Sequence, residues 1–168
     1  MDVMTKEQRH DCMARIKGKN TKPEMIVRRF LWSHGFRYRI NYSRLPGRPD
    51  LVLPKYRAVI MVNGCFWHGH DGCVYYRLPK SNVDYWRTMI ENNKARDMRD
   101  REALAKMGWN VIQIWECQLL PKNRDAYLEG LLSLLDGLFL EAHGVKRYVE
   151  PEVEPLPYAA DEEETYGK

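Results

Sequence analysis

The sequence predicts one α/β domain with a mixed β-sheet flanked by helices, and two observations support this fold class. The first is the order of the elements, because helical patterns alternate with short apolar runs typical of buried strands. The second is length, since 168 residues suffice for one domain with a proper core and are too few for two. We expect the domain to span residues 21–144, between a basic N-terminal helix and loop (1–20) and an acidic, proline-containing tail (145–168) without regular structure.

Two capping boxes mark helix starts near the N-terminus. The pattern Thr5-x-x-Gln8 predicts a short first helix, and Thr21-x-x-Glu24 predicts a second helix that Gly35 ends. A capping-box glutamate needs no partner beyond its own backbone, so this pattern alone favours a structural role for Glu24.

Apolar runs predict the strands of the sheet. Residues 36–40 alternate apolar and basic side chains, which indicates a half-buried strand with a cationic outer face. The runs 51–53 and 58–62 are close enough to pair through a turn. The second half adds a long charged helix over 83–106, a last core strand over 109–115 and a leucine-rich helix over 124–140.

The charge distribution favours a polyanionic partner. The formal net charge is +4, but acidic residues crowd the tail, so the body before it is strongly basic. Lys17 and Lys19 lie in a basic loop that could bind a phosphate backbone, although an ordinary exposed linker has the same composition. With no signal peptide and no apolar run of membrane length, we expect a cytoplasmic protein without a membrane partner.

The loop after residue 62 concentrates metal-binding side chains. Cys65, His70 and Cys73 supply three ligands of the type that zinc prefers, and a structural site needs a fourth. Cys117, just after the last predicted strand, is the first candidate for that position. The competing ligands are His68 and Asp71.

A carboxylate and two aromatic side chains suggest chemistry beside this loop. Asp50 follows Pro49 and opens a strand, where it could bind Mg²⁺ together with a substrate phosphate; a turn aspartate is the alternative. Pro49 favours an extended conformation for Arg48. Phe66 and Trp67 either cover the metal loop or act as wedges that unstack base pairs.

Three motifs together resemble the very short patch repair (Vsr) endonuclease family. They are Leu-Pro-Gly-Arg-Pro-Asp ending at Asp50, Gly-Cys-Phe-Trp-His ending at His68, and Trp-Glu-Cys ending at Cys117. The resemblance runs from about residue 15 to Cys117 and implies a restriction-endonuclease-like fold with a structural zinc. Restriction-type nucleases often carry Glu-x-Lys on the strand after the aspartate, but here that strand, 58–62, is wholly apolar.

The resemblance also implies roles for individual residues. Mg²⁺ would be held by Asp50 and the backbone carbonyl of Val62, with His68 as the catalytic histidine and Glu24 near the metal-bound waters. His70 would then be the zinc ligand, which leaves His68 free. The aromatic side chains implied to insert beside a mismatched base pair are Phe66, Trp67 and Trp86.

One position departs from the family pattern. Asn63 stands where the family often has histidine, and its amide can hydrogen-bond a phosphate but cannot transfer a proton.

The function implied is a Mg²⁺-dependent mismatch endonuclease that nicks one strand 5′ of the thymine in T:G mispairs arising from 5-methylcytosine deamination. Its implied partners are mismatched double-stranded DNA and a MutL-type repair protein, and we expect a monomer. The alternative is a zinc-stabilised DNA-binding module without nuclease activity. A protein-interaction scaffold, a third class, would leave the aromatic loop and the basic surface unexplained.

Overall fold

A computed structural model describes residues 8, 11 and 18–144 of the chain. Apart from Gln8 and Asp11, the predicted N-terminal helix lies outside the described residues, as do Lys17 and the acidic tail.

A mixed sheet of four strands lies at the centre of the described chain. In spatial order the strands are β1 (Arg39–Ile40), β2 (Leu51–Leu53), β3 (Ala58–Asn63) and β4 (Asn110–Trp115). The first three pair antiparallel, whereas β3 and β4 are parallel and their register aligns Ala58 with Asn110. Parallel strands require a crossover, which a long helix supplies here. The predicted α/β class with a mixed sheet is therefore confirmed.

Three α-helices cover both faces of the sheet within the described residues. They are α1 (Lys22–Ser33), α2 (Val83–Lys106) and α3 (Arg124–Ala142). Helices α1 and α3 pack on one face, which carries the larger core: Val27, Leu31, Leu51, Leu53, Ile60, Ile114, Leu128, Leu131 and Leu135. Helix α2 covers the other face through Leu104, which packs with Leu45, Val52 and Val59. No helix among the described residues is both long and apolar enough to cross a membrane.

The hairpin of β2 and β3 positions the start of β2 beside the end of β3. A 3₁₀ turn over Pro54–Tyr56 connects the two strands, and Arg57 completes it with a left-handed backbone at φ 47°. The pairing of Leu51 with Ile60 places Asp50, one residue earlier, next to Val62. This hairpin was predicted with its turn, and the structure confirms it.

The first strand is shorter than predicted. Only Arg39 and Ile40 pair with β2, and Ile40 is 51% exposed rather than turned inward. Phe36 is buried as expected and lies 5.0 Å from the ring of Tyr56. Tyr38 still packs against the larger core, but Ile40, on the edge strand, does not, so the apolar alternation extends one position past the core.

Candidate active site and metal centre

The described residues form a cleft of about 680 Å³ where the β2–β3 hairpin, the start of α1, the loop after β3 and the middle of α2 meet. Its ionisable lining combines carboxylates with an imidazole and two arginines: Glu24, Arg48, Asp50, His68, Arg96, Asp97, Asp100 and Glu116. The sequence singled out Asp50, His68 and Glu24, and the fold brings all three to this cleft.

Asp50 lies directly before β2, where a hydrogen bond ties it to the end of β3. Its Oδ2 accepts a hydrogen bond from the backbone N–H of Val62 at 2.7 Å. Arg48, expected to be extended before Pro49, instead has φ 47°, which corrects that prediction. Gly47 precedes it with φ 66°, and a Cβ there would lie 2.9 Å from Cβ of Asp100, so this turn packs directly against α2.

The surroundings of Asp50 favour its neutral form. Burial raises the pKa of the carboxyl from 3.8 to about 6, and the charge of Glu24 adds to this effect. The Val62 hydrogen bond and the charges of Arg28 and His68 act in the opposite direction. A buried carboxyl group with a raised pKa, which a nearby cation would help to ionise, is typical of functional sites.

Glu24 is buried, and its carboxylate has several partners. It is 4% exposed; Oε1 accepts from the Thr21 hydroxyl at 2.9 Å, and Oε2 accepts from the Asn20 backbone N–H at 3.0 Å. Thr21 is the N-cap of α1, as predicted, but the glutamate reaches beyond the cap to the Asn20 amide and to Arg28 Nη2 at 3.0 Å. Glu24 thus both caps the helix and contributes a carboxylate to the cleft lining.

His68 and His70 point to different sites. Backbone hydrogen bonds fold the loop into successive turns, from His68 N to Gly64 O (3.2 Å) and from His70 N to Cys65 O (3.0 Å). The His68 imidazole lines the cleft, where its Nδ1 makes a short hydrogen bond to Oδ2 of Asp97 on α2. Asp97 was not singled out from the sequence, because it lies among the many charged residues of α2, a pattern typical of a helix face exposed to solvent.

The second histidine joins a cluster of cysteines. One donor atom each of Cys65, His70, Cys73 and Cys117 lies within 4.8 Å of all the others, so these residues could hold a metal ion. Asp71, a competing candidate, instead accepts hydrogen bonds from Lys94 Nζ at 2.7 Å. Burial raises the pKa of the Cys65 thiol to about 12. The thiol would therefore lose its proton at neutral pH only with a cation beside it.

The aromatic side chains form a cluster of their own between the loop and α2. The ring centroids of Phe66, Trp67 and Trp86 are 5.2–6.2 Å apart in edge-to-face arrangements. All three are partly exposed, and none belongs to either buried core. Asn93 Nδ2 donates to the carbonyl oxygen of Trp67 at 2.9 Å and thereby fixes the peptide that leads into His68.

The remaining candidate residues lie in different environments. Val62 and Asn63 end β3 at the cleft, and Asn63 is only 6% exposed. Lys19 is exposed, as a contact to DNA requires, and Lys17 is outside the described residues.

A cleft with clustered carboxylates and a carboxylate-bound imidazole suits hydrolysis, and comparison with known proteins identifies the class as DNA endonucleases. A family model described as DNA mismatch endonuclease Vsr matches residues 1–74. The type II nicking enzyme V.XorIIP of Xanthomonas oryzae pv. oryzae is 49% identical over 70% of this chain and 86% of its own length. The type II nicking enzyme V.NmeAIP of Neisseria meningitidis is 46% identical over 80% of this chain and 94% of its own length.

A further relative is the DNA mismatch endonuclease Vsr of Escherichia coli K12, which is 38% identical over 73% of this chain and 78% of its own length. The chain therefore belongs to the Vsr family of DNA mismatch endonucleases and is an endonuclease.

Proposed function

We propose that the protein nicks one strand of double-stranded DNA 5′ of the thymine in a T:G mispair, in a Mg²⁺-dependent reaction. The observation that carries this proposal is the convergence of Asp50 and His68 in one cleft beside an aromatic cluster. Family membership supports cleavage at mismatches. The choice of T:G mispairs from 5-methylcytosine deamination rests on the family resemblance.

The cleft fits a hard divalent cation. Asp50 would hold it together with the carbonyl oxygen of Val62, and Mg²⁺ of this kind keeps several waters and binds a substrate phosphate. When bound, it would supply charge stabilisation to the phosphate and lower the pKa of a water. The raised pKa of Asp50 agrees with this assignment, because an adjacent cation would offset the cost of ionising the buried carboxyl.

His68 is suited to take a proton from the attacking water. Because its Nδ1 is bonded to the Asp97 carboxylate, the neutral imidazole carries its proton on Nδ1 and leaves Nε2 as the acceptor. The carboxylate also stabilises the imidazolium that forms after proton transfer. Arg96 Nη2 lies 3.6 Å from Oδ1 of Asp97 and helps to orient that carboxylate. Glu24 would act as an acceptor for the metal-bound waters in the cleft.

The Cys/His cluster supports a structural zinc. Zinc in a tetrahedral site with its usual bond lengths separates a sulfur from a nitrogen ligand by about 3.6 Å. The Nδ1 atom of His70 lies 3.6 Å from Sγ of Cys65 and 3.5 Å from Sγ of Cys117. The ring of His70 also stacks on Trp115 at 4.0 Å, which fixes its orientation. Such a zinc would tie the loop to the end of β4.

Phe66, Trp67 and Trp86 are proposed to insert beside the mispaired bases. Their packing on one another rather than in a core leaves ring surface available for stacking on bases. A T:G pair is opened at a lower cost than a matched pair, so wedges of this kind favour the mismatch. Lys17, Lys19 and Asn63 would contact phosphates. Action as a monomer and contact with a MutL-type protein rest on the resemblance alone.

The test is a nicking assay on T:G and matched duplexes of the same sequence, each with and without Mg²⁺. We expect a single nick 5′ of the thymine in the T:G duplex when Mg²⁺ is present and none in the matched duplex. The Asp50→Ala protein should bind the duplex but not cut it, because phosphate contacts dominate affinity. Binding without cleavage by the wild-type protein would instead support a zinc-stabilised DNA-binding module.

A further inference from the structure

Arg28 is a buried arginine paired with Glu24, which lines the cleft, and none of the roles proposed above uses it. Its side chain belongs to α1 and is only 6% exposed. Buried charges are rare unless they are paired, and a buried pair often adds little to stability compared with apolar side chains of the same volume. Such a pair therefore calls for an explanation in terms of geometry.

The guanidinium joins two parts of the chain that border the cleft. Nη2 donates to Oε2 of Glu24 at 3.0 Å, one helical turn earlier, and Nη1 donates to the side-chain oxygen of Asn20 at 2.6 Å. Asn20 has a left-handed backbone, with φ 55°, and its own N–H donates to the same Oε2 of Glu24 at 3.0 Å. Arg28, Asn20 and Glu24 thus form a closed ring of hydrogen bonds.

This ring leaves little freedom to the carboxylate of Glu24. With the Thr21 hydroxyl on the other oxygen, each oxygen of Glu24 has a fixed direction. Arg28 Nε is buried without a hydrogen-bond partner among the described residues. The guanidinium therefore leaves one of its own donors unsatisfied while it pairs with Glu24 and Asn20. The charge of Arg28 also opposes the repulsion between Glu24 and Asp50, since the two charges act on the pKa of Asp50 in opposite directions.

On the basis of the function proposed above, we propose that Arg28 is a positioning residue for strand cleavage: it locks Glu24 and the Asn20 turn into one geometry at the cleft. Being buried, it does not touch DNA itself, and it acts through Glu24. A displacement of about 1 Å in a reacting group can cost on the order of 100-fold in rate. Loss of this lock should therefore lower the rate of cleavage and leave DNA affinity unchanged.

The experiment compares single-turnover nicking of a T:G duplex at saturating Mg²⁺ for Arg28→Met and Arg28→Lys, at a temperature where circular dichroism shows each protein folded. We expect Arg28→Met to be about 10–100-fold slower with an unchanged dissociation constant for DNA. Arg28→Lys should recover part of the rate, because an ammonium can still pair with Glu24. The matched control is Arg29→Met, an exposed arginine one residue further along α1, which should nick at the wild-type rate.

A second comparison tests whether Arg28 acts on the cleavage rate through Glu24. In a Glu24→Gln background, Arg28→Met should cause little further loss, because both changes disable the same carboxylate. A folded Arg28→Met protein that nicks at the wild-type rate overturns the proposal, and so do losses that multiply in the double variant.

Two milder variants decide the question if Arg28→Met does not fold. They are Arg28→Lys and Asn20→Gly, which keeps the left-handed backbone and removes only the side-chain acceptor. Wild-type rates in both would overturn the proposal. A wild-type protein that leaves the T:G duplex intact with Mg²⁺ gives a different result, since it refutes the proposed function itself.

Discussion

Replacing Asp50 with asparagine should make the protein more stable while it removes a group proposed for catalysis. In the folded protein the pKa of Asp50 is about 6, above its ordinary value of 3.8. Ionisation of this carboxyl therefore opposes folding. The cost is absent below pH about 4, grows as the pH rises from about 4 to about 6, and is complete above that range.

The size of the effect follows from the shift. A difference of about two pKa units corresponds to about 3 kcal/mol at neutral pH, which is an upper limit because the cleft is open to water. An asparagine oxygen can still accept the hydrogen bond from Val62, so the variant avoids the charge and keeps the contact. For the 127 residues from 18 to 144, an entropy of about 2.1 cal/mol/K per residue converts about 1–3 kcal/mol into a rise of about 4–12 °C in Tm.

The assay is thermal unfolding followed by circular dichroism at pH 8 and at pH 4, in buffer without Mg²⁺. The Asp50→Asn protein should melt above the wild type at pH 8, and the difference should shrink toward zero at pH 4. Asp71→Asn is the matched control: this carboxylate is 81% exposed and should show no comparable gain. A variant that melts no higher than the wild type at pH 8, or a gap that is the same at both values, would refute the reasoning.

Three further predictions concern the metal cluster, the imidazole and the aromatic cluster. Cys117→Ser should release the proposed zinc and lower the Tm, because that zinc would tie the loop to β4 through Cys117; full zinc content by metal analysis would contradict this. His68→Ala should slow nicking by roughly 10²–10⁴-fold at unchanged DNA affinity, and Asp97→Asn should slow it less, since the imidazole remains. Equal rates for Asp97→Asn and wild type would show that the carboxylate is dispensable. Trp67→Ala and Trp86→Ala should each weaken binding to a T:G duplex relative to a matched one by about 1–3 kcal/mol in competition assays. An unchanged ratio with a lower Tm would assign these rings to packing alone.

Elements with strong local signals were predictable from the sequence. The bounds 83–106 predicted for α2 match the structure, because Gly108, with φ 78°, gives the chain a clear stop. The β2–β3 hairpin was predictable because its apolar runs are short and separated by Pro54. The Cys/His cluster was predicted from spacing, and the choice of His70 over His68 as its imidazole agrees with the resemblance.

Some contacts between distant segments were not predictable. Asp97 lies 29 residues after His68, and nothing in the local pattern of α2 distinguishes it from neighbouring charges that face solvent. The two functions of Glu24 share one sequence signal, because a capping box has the same letters whether or not its carboxylate also borders a cleft. Ile40 was misplaced for a similar reason: alternation predicts which face a side chain takes but not whether a neighbour covers that face.

Helix α2 has a mechanical consequence for this cleft. Its side chains Asn93, Lys94 and Asp97 form hydrogen bonds with the loop after β3. The same helix carries Trp86, whereas Asp50 belongs to the sheet. Near its other end the helix is anchored by Leu104, which is fully buried.

With a rise of 1.5 Å per residue, the helix is a lever whose arm from Leu104 to Trp86 is about 27 Å long. A tilt of about 4° about Leu104 would move Trp86 by about 2 Å and Asp97, with its imidazole partner, by about 0.7 Å. If the proposed insertion of Trp86 into DNA tilted α2 in this way, the distance between the His68 imidazole and the Asp50 carboxylate would change with it, by less than the displacement of Trp86.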